Sequence, residues 1–314
     1  MARIGIIGAG AIGGWVAARL ALAGNSVSIL ARGETGEAIQ REGLILGEGG
    51  DSRTVRVSVS DDAAALGPQD VLVIAVKAPS LADAAEAAQA MIGTDTRIVP
   101  MLNGVPWWFV DGEPLRSVDP GGRIAAALPA AQVVGCVVHA ACRRTGLNAI
   151  EVVHADKLIL GEPSGGLGAR IADLAALFER AGIRVEPSDN VRRAIWYKLW
   201  GNMTINPISA LTRATADRIL ASEALKPFIL AAMAEAAAIG AAIGCPIAET
   251  GEDRMAVTAR LGAFKTSMLQ DVEAGRRLEL EALLGAPREI GARVGIATPN
   301  IDTLYALTKL LDES

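Results

Sequence analysis

The chain has 314 residues, a hydrophobic content of 51% and a formal net charge of −5 from 30 basic and 35 acidic residues. This length suits two domains, and the intermixed charges form no basic run that would indicate a nucleic-acid partner. No uninterrupted apolar stretch approaches the roughly 18 residues of a membrane span. The three cysteines lack C-x-x-C spacing and only two histidines accompany them, so we expect reduced thiols, a cytoplasmic location and no metal site.

The N-terminus places an apolar strand directly before a glycine-rich turn. Residues 3–7 read RIGII, and the pattern G-x-G-x-x-G follows at Gly8, Gly10 and Gly13. In a nucleotide-binding turn the first glycine permits the bend, the second lets backbone N–H groups approach a pyrophosphate, and the third lets the helix pack closely. The plainer alternative is a turn that only joins a strand to a helix. The predicted cofactor-binding residues here are Gly8, Ala9, Gly10, Ala11, Ile12 and Gly13.

Arg32 follows the second apolar run, which covers residues 26–30. It stands roughly 20 residues beyond the glycines, where folds that bind NAD carry an Asp or Glu for the ribose 2′-OH. An arginine at this position can instead pair with a 2′-phosphate. The sequence therefore predicts NADP(H) as the cofactor, with a solvated surface charge as the alternative for Arg32.

Further strands alternate with helices along the first third of the chain. The continuous apolar run over 70–77 is typical of a strand buried on both faces of a parallel sheet. A helix over 82–91 and a strand over 97–102 follow, and the alternating residues 54–59 indicate one more strand. This order predicts a doubly wound α/β sheet of the Rossmann type, with its ligand crevice beyond the carboxyl ends of the strands. Lys77 and Asn103 stand at two such ends.

The pattern changes twice in the remainder of the chain. Short β-rich runs over 132–138, 149–154 and 157–160 would extend the same sheet, in part antiparallel. Beyond Asn190 the periodicity is helical almost to the end, with helices around 191–206, 222–243, 252–260 and 280–294. We therefore expect a Rossmann domain over 1–188 and an all-helical substrate domain over 189–314.

Three polar residues follow one another at helical spacing at the start of the predicted helical domain. Lys198, Asn202 and Asn206 are spaced i, i+4 and i+8, and each step of four advances the helix face by only about 40°. Pro207 is expected to break or kink the helix just after them. A partly buried lysine would have a lowered pKa and could donate a proton to a developing alkoxide. The alternative is a solvated lysine beside two surface amides.

Five motifs occur in a fixed order along the chain. They are Gly8-x-Gly10-x-x-Gly13, Lys77 after a buried strand, Asn103-Gly104, Lys198-x-x-x-Asn202-x-x-x-Asn206-Pro207, and the run Thr266–Asp271 followed by Glu279. Together they resemble the 2-dehydropantoate 2-reductases, also called ketopantoate reductases, over nearly the whole length.

This resemblance implies an activity and a role for each motif residue. The activity is NADPH-dependent reduction of a small 2-oxo acid to a 2-hydroxy acid, with 2-dehydropantoate to (R)-pantoate in pantothenate biosynthesis as the best match. A paralogue acting on a different oxo or hydroxy acid is the alternative. Lys198 resembles the general acid and Glu279 the carboxylate that orients it. The substrate-binding residues implied are Asn103, Asn202, Asn206 and Ser267, and Lys77 and Asn103 are expected close to the cofactor.

Several alternatives stay open at this point. Glu281 is a charged neighbour of Glu279, Ser267 could instead cap the helix that follows it, and Lys77 could be a strand-end charge. The loop that carries Trp107 and Trp108 could close over the substrate, pack in a subunit interface or bury its rings on its own domain. The Ala/Leu-rich C-terminal half fits either helix packing within one chain or a homodimer, and we favour the homodimer.

Overall fold

The computed structural model describes residues 1–314 and divides into two compact units. Unit 1 comprises Met1–Leu102 and Gly122–Val191, and unit 2 comprises Asn103–Gly121 and Arg192–Ser314. The division after residue 191 lies close to the predicted boundary, but residues 103–121 group with the C-terminal helices instead of the N-terminal domain. The two functional domains, 1–188 and 189–314, stay a prediction.

Unit 1 alternates strands and helices from its first residues, as the apolar runs and the intervening amphipathic segments predict. Its elements in chain order are β1 Arg3–Ile7, α1 Ala11–Leu22, β2 Ser26–Leu30, α2 Gly33–Glu42, β3 Leu44–Glu48, β4 Asp51–Val55, β5 Ser58–Ser60, α3 Ala63–Leu66, β6 Gln69–Ile74, α4 Leu81–Ala87, β7 Ile92–Pro100, α5 Arg123–Ala127, β8 Gly135–Arg144, β9 Ala149–Gly161, α6 Ala169–Arg180 and β10 Val185–Pro187.

The first sheet of unit 1 has the order β5-β2-β1-β6-β7, and every pair in it is parallel. Its central strands β1 and β6 are almost wholly buried, because helices cover both faces of such a sheet. The register aligns Ile7 at the end of β1 with Leu30 of β2 and Ile74 of β6. The predicted α/β class with a Rossmann sheet is confirmed, and the carboxyl ends of its strands share one edge.

The β-rich runs after residue 130 form a second sheet, so the prediction that they extend the first sheet holds only for an isolated parallel bridge between Val133 and Ile98 of β7 and is otherwise wrong. This sheet has the order β10-β9-β3-β4, with β8 antiparallel to β9. The runs 149–154 and 157–160 join into one 13-residue strand, β9. Helix α1 packs against β2 on one side and against β3, β8 and β9 on the other, which is why its sequence is apolar nearly all round.

The single strand predicted over 54–59 is also wrong, because these residues belong to two strands in two sheets. β4 ends at Val55 and pairs antiparallel with β3, whereas β5 begins at Ser58 and pairs in parallel with β2. Arg56 and Val57 carry the chain from one sheet to the other. An alternating pattern predicts extended backbone, but not which neighbour each residue pairs with.

Unit 2 is helical, as the periodicity beyond Asn190 predicts. Its elements are α7 Val191–Thr212, α8 Ala216–Leu220, α9 Lys226–Ala242, α10 Gly251–Ala259, α11 Ser267–Glu273, a π-helical turn Glu281–Gly285, α12 Ala286–Arg293 and α13 Pro299–Asp312. No helix of the chain combines the length and apolar character that crossing a lipid bilayer requires.

Helix α7 continues through Pro207 to Thr212, so of the break or kink predicted just after Asn206, the break does not occur. Proline removes one backbone hydrogen bond from a helix interior. Here Leu199, Met203, Ile208 and Ala210 are buried on both sides of the proline, and this packing holds the helix together. The polar stripe that begins at Lys198 therefore lies on one uninterrupted helix.

Candidate active site

The glycine turn of unit 1 has the geometry that its spacing predicts. Gly8 has φ +95°, and a Cβ there would lie 2.8 Å from the backbone nitrogen of Val76. A Cβ on Gly13 would collide with the carbonyl oxygen of Gly8, whereas a Cβ on Gly10 would meet no atom within 4 Å. Two of the glycines are therefore required by backbone packing, and Gly10 borders open space.

The turn leads into the N-terminus of α1, whose N-cap is Gly10 and has no side-chain cap. The first backbone N–H groups of a helix have no partner within the helix, and the helix dipole favours an anion beside them. A pyrophosphate fits such a turn, because Gly10 presents no side chain that would keep it away. The residues at 8–13 thus suit a dinucleotide.

Two of the other predicted cofactor residues lie beyond the same edge of the sheet. Arg32 is exposed, follows β2 by two residues and is the N-cap residue of α2. Lys77 is half-buried and follows β6 by three residues. The third, Asn103, groups with unit 2. The parallel register accounts for the shared edge of Arg32 and Lys77, and their roles stay predictions.

Unit 2 joins three of the predicted site residues in one chain of hydrogen bonds. Lys198 Nζ donates to Asn103 Oδ1 at 3.0 Å, and Asn103 Nδ2 donates to Glu279 Oε2 at 3.3 Å. Glu279 is buried, with 5% of its surface exposed. A primary amide has both a donor and an acceptor, so Asn103 connects an ammonium to a carboxylate.

Asn103 is held in place by the residues that follow it. Gly104 has φ +78°, and a Cβ there would lie 2.5 Å from the carbonyl carbon of Ala282. The Val105 N–H donates to Ala282 O at 2.8 Å. Ala282 lies in the π-helical turn, three residues after Glu279. The backbone just after Asn103 is therefore hydrogen-bonded to the backbone just after its carboxylate partner. The sequence shows the Asn-Gly pair but gives no sign of this contact.

Glu281 has different surroundings from Glu279. Its Oε1 accepts a hydrogen bond from the Tyr305 hydroxyl at 2.7 Å, and Glu281 is exposed. Burial, followed by this hydrogen bond, raises the pKa of Tyr305 to about 12. The structure therefore brings Glu279, and not Glu281, into the hydrogen-bonded chain with Lys198.

The remaining predicted substrate residues lie on α7 and at the start of α11. Asn202 is half-buried one turn beyond Lys198, and Asn206 has 7% of its surface exposed. Ser267 is the first residue of α11, and Thr266 is its cap, because the Thr266 hydroxyl accepts from the backbone N–H of Leu269. The alternative that Ser267 caps this helix is therefore wrong, and its hydroxyl is not used in that way.

The aromatic loop after Asn103 packs within unit 2. Trp107, Trp108 and Phe109 are buried, and the Phe109 ring stacks on Trp196 of α7 with centroids 5.8 Å apart. The Phe109 ring is thus buried against a helix of its own unit, and closure over the substrate or packing in a subunit interface stay alternatives for the two Trp residues. The Phe109 stack lies on the helix that carries Lys198.

A Rossmann sheet with a nucleotide-type glycine turn, together with a lysine bonded through an amide to a buried carboxylate, defines an oxidoreductase of the dehydrogenase and reductase class. The family described as ketopantoate reductase PanE/ApbA matches residues 4–165, and its C-terminal domain matches residues 190–312. The chain therefore belongs to the ketopantoate reductase family, whose members are oxidoreductases acting on CH–OH groups, and the resemblance seen in the five motifs is confirmed.

Individual relatives align over nearly the full length. A 2-dehydropantoate 2-reductase of Mesorhizobium japonicum is 41% identical, over 98% of this chain and 97% of the relative. Among solved structures, a candidate ketopantoate reductase from Ralstonia solanacearum MolK2 is 52% identical with a TM-score of 0.97, over 99% of this chain and 98% of that one. A 2-dehydropantoate 2-reductase from Methylococcus capsulatus is 32% identical with a TM-score of 0.85, over 99% and 97% of the two chains.

Proposed function

We propose that this protein uses NADPH to reduce 2-dehydropantoate to (R)-pantoate. The observation that carries the proposal is the hydrogen-bonded chain from Lys198 through Asn103 to the buried Glu279. The 41% identical relative named 2-dehydropantoate 2-reductase supports this choice of substrate. A related branched 2-oxo acid is the second candidate.

Residues of unit 1 would hold the cofactor. The turn at 8–13 suits the pyrophosphate, Arg32 is the cation that would pair with the 2′-phosphate, and Lys77 lies beyond the same sheet edge. When bound, the nicotinamide supplies the hydride that adds to C2 of the 2-oxo acid.

Lys198 would supply the proton. As the C2–hydride bond forms, the carbonyl π bond breaks and negative charge develops on its oxygen, which an ammonium group aimed at it stabilises and then protonates. Asn103 keeps Lys198 Nζ in place by accepting one of its hydrogen bonds, and Glu279 fixes the orientation of the Asn103 amide. Asn202, Asn206 and Ser267 would bind the polar groups of the substrate. The product is the 2-hydroxy acid.

The test is NADPH oxidation, followed by absorbance, with a panel of 2-oxo acids led by 2-dehydropantoate and with NADH as the alternative donor. Removing a general acid typically lowers turnover by about 10²- to 10⁴-fold, so Lys198→Ala is expected to lose activity by that factor. The variant should bind NADPH with the affinity of the wild type, because the substitution changes none of the proposed cofactor residues of unit 1.

Lys309→Ala is the matched control, since Lys309 is an exposed lysine at the end of α13 whose only ion pair is with Glu313. Its activity should equal that of the wild type. Rapid turnover of another 2-oxo acid, with no turnover of 2-dehydropantoate, would make that acid the substrate in place of 2-dehydropantoate. Equal activity of Lys198→Ala and the wild type would refute the role of Lys198 as proton donor.

A further inference from the structure

Arg254 of α10 packs its guanidinium group on the backbone of α7. A Cβ at Gly201 would lie 2.6 Å from Arg254 Cζ, so any side chain larger than hydrogen would displace the guanidinium. The Tyr197 ring lies one turn earlier on α7, with its centroid 5.4 Å from the same carbon. Gly201 and Tyr197 together form a seat for this cation on α7.

The guanidinium has no carboxylate partner. Its single hydrogen bond runs from Nη1 to the Thr258 hydroxyl at 2.9 Å, and its Nε is buried without a partner. Burial lowers the pKa of Arg254, while the Tyr197 hydroxyl and the Glu249 carboxylate act in the opposite direction. A buried cation is ordinarily paired with an anion, as Arg192 of α7 is with Asp111 through two hydrogen bonds of 2.8 and 2.7 Å.

The seat lies beside the polar stripe of α7. Gly201 is three residues after Lys198 and one before Asn202, and positions three apart are neighbours on a helix surface, about 60° apart around the axis. Gly201 thus borders the helix face that carries the proposed general acid, while Tyr197 lies about 100° from Lys198 around the axis, on the far side of Gly201. A 2-oxo acid has one fixed negative charge, its carboxylate, bonded directly to the carbonyl carbon.

We propose that Arg254 binds the carboxylate of the 2-oxo acid substrate, which makes it a specificity-determining residue for anionic substrates. A guanidinium matches a carboxylate with two parallel N–H donors, and the Tyr197 ring keeps the cation in place without neutralising it. The inference rests on the proposed function, because it takes the substrate to be a 2-oxo acid.

The test compares Arg254→Met with the wild type in steady-state kinetics on 2-dehydropantoate. A hydrogen bond to a charged group contributes about 1.5–3 kcal/mol, so KM should rise by about 10- to 100-fold. The value of kcat should change little, because the proton donor is intact. Arg254→Lys keeps the charge and should restore part of the affinity.

Binding of two unreactive ligands separates recognition from a structural effect. Pantoate carries the carboxylate, and pantoyl lactone is its uncharged cyclic ester. Arg254→Met should weaken pantoate binding and leave lactone binding as in the wild type. An unchanged KM, or equal weakening for both ligands, would overturn the proposal.

Controls keep the result interpretable. Arg260→Met removes an exposed arginine just after α10 and should leave KM unchanged.

If Arg254→Met does not fold, Gly201→Ala tests the same contact by displacing the guanidinium, and it should raise KM in the same way. If the wild type reduces none of the 2-oxo acids, the proposed function has failed, whereas wild-type activity with an unchanged KM in the variant overturns this inference alone.

Discussion

At the scale of single residues, Asn103 contacts two other predicted site residues through one small side chain. It accepts from Lys198 and donates to Glu279, so this one amide contacts both charged groups. Asn103 is also the first residue of the aromatic loop, and Val105, two residues later, donates a backbone hydrogen bond to Ala282 in a different part of unit 2. A change at this position should affect both partners at once.

Asn103→Ala is expected to lower kcat by about 10²-fold, because the ammonium loses one of the groups that orient it and positioning of this kind contributes on that scale. The measurement is kcat on 2-dehydropantoate together with the thermal unfolding midpoint. Asn300→Ala serves as the contrast, since Asn300 donates to Glu235 at 2.6 Å and binds no site residue. That variant should lose stability and keep kcat, and the same pattern in Asn103→Ala would count against the assigned role.

Among structural elements, the π-helical turn Glu281–Gly285 determines where Asn103 lies. Short π-helical segments are rare and occur often at functional sites. Here the turn presents the Ala282 carbonyl to the Val105 N–H and leaves room only for glycine at position 104. The position of this turn therefore determines the position of Asn103, which lies far earlier in the chain.

Gly104→Ala should lower both stability and kcat. Its left-handed conformation costs a non-glycine residue about 1–2 kcal/mol, and the added Cβ must also push the backbone of Ala282 away. Gly112→Ala is the matched control, because Gly112 has φ +86° with no atom near its Cβ position. The control should lose only the stability that the left-handed conformation costs, and no activity. Equal kcat values in the two variants would show that the contact with Ala282 does not position Asn103.

Elements were predictable from sequence where one local pattern determined the outcome. The glycine turn, the strands β1, β2 and β6 and the helical character of unit 2 follow from hydrophobic periodicity and glycine spacing. The separate second sheet does not, because β9 pairs with β3, which lies a hundred residues earlier in the chain, and pairing across that separation leaves no local pattern. The length of α7 could not be predicted either, since burial around Pro207 outweighs the local cost of the proline.

The candidate site divides in the same way. Lys198, Asn202 and Asn206 share a helix face that the spacing predicts. Their connection to Asn103 and Glu279 came from the family resemblance, and the hydrogen bonds between them required the structure. Arg254 lies in none of the five motifs. Its packing against Gly201 could not be predicted from the sequence, because the two residues lie on different helices.

For the molecule as a whole, the ion pairs make stability depend on pH. The Arg3 guanidinium holds the pKa of Asp70 below its usual value, and Arg192 does the same for Asp111. For Glu289, burial raises the pKa, but hydrogen bonds from the Ser117 backbone and hydroxyl outweigh it and leave the pKa lowered. These carboxylates bind protons more weakly in the folded state than in the unfolded chain.

A carboxyl whose folded pKa is lowered adds stability that is complete above its unfolded pKa and is lost as the pH falls through the folded value. The free energy of unfolding should therefore be constant from neutral pH down to about 5 and then fall steadily. Urea unfolding at a series of pH values measures this. The free energy of unfolding of Glu289→Gln should fall less steeply with decreasing pH than that of the wild type. A wild-type free energy that stays constant into the acid range would contradict the predicted pH dependence.

The way unit 2 is assembled has a consequence for dissecting the protein. Residues 103–121 lie in the middle of the chain but belong with residues 192–314. A C-terminal fragment beginning at residue 192 would therefore lack Asn103 and leave the Trp196 face without Phe109. A separate peptide of residues 103–121 would restore these residues only if it bound to the C-terminal fragment. The unit is thus a discontinuous module, which circular permutation or a grafted linker could isolate and a single cut could not.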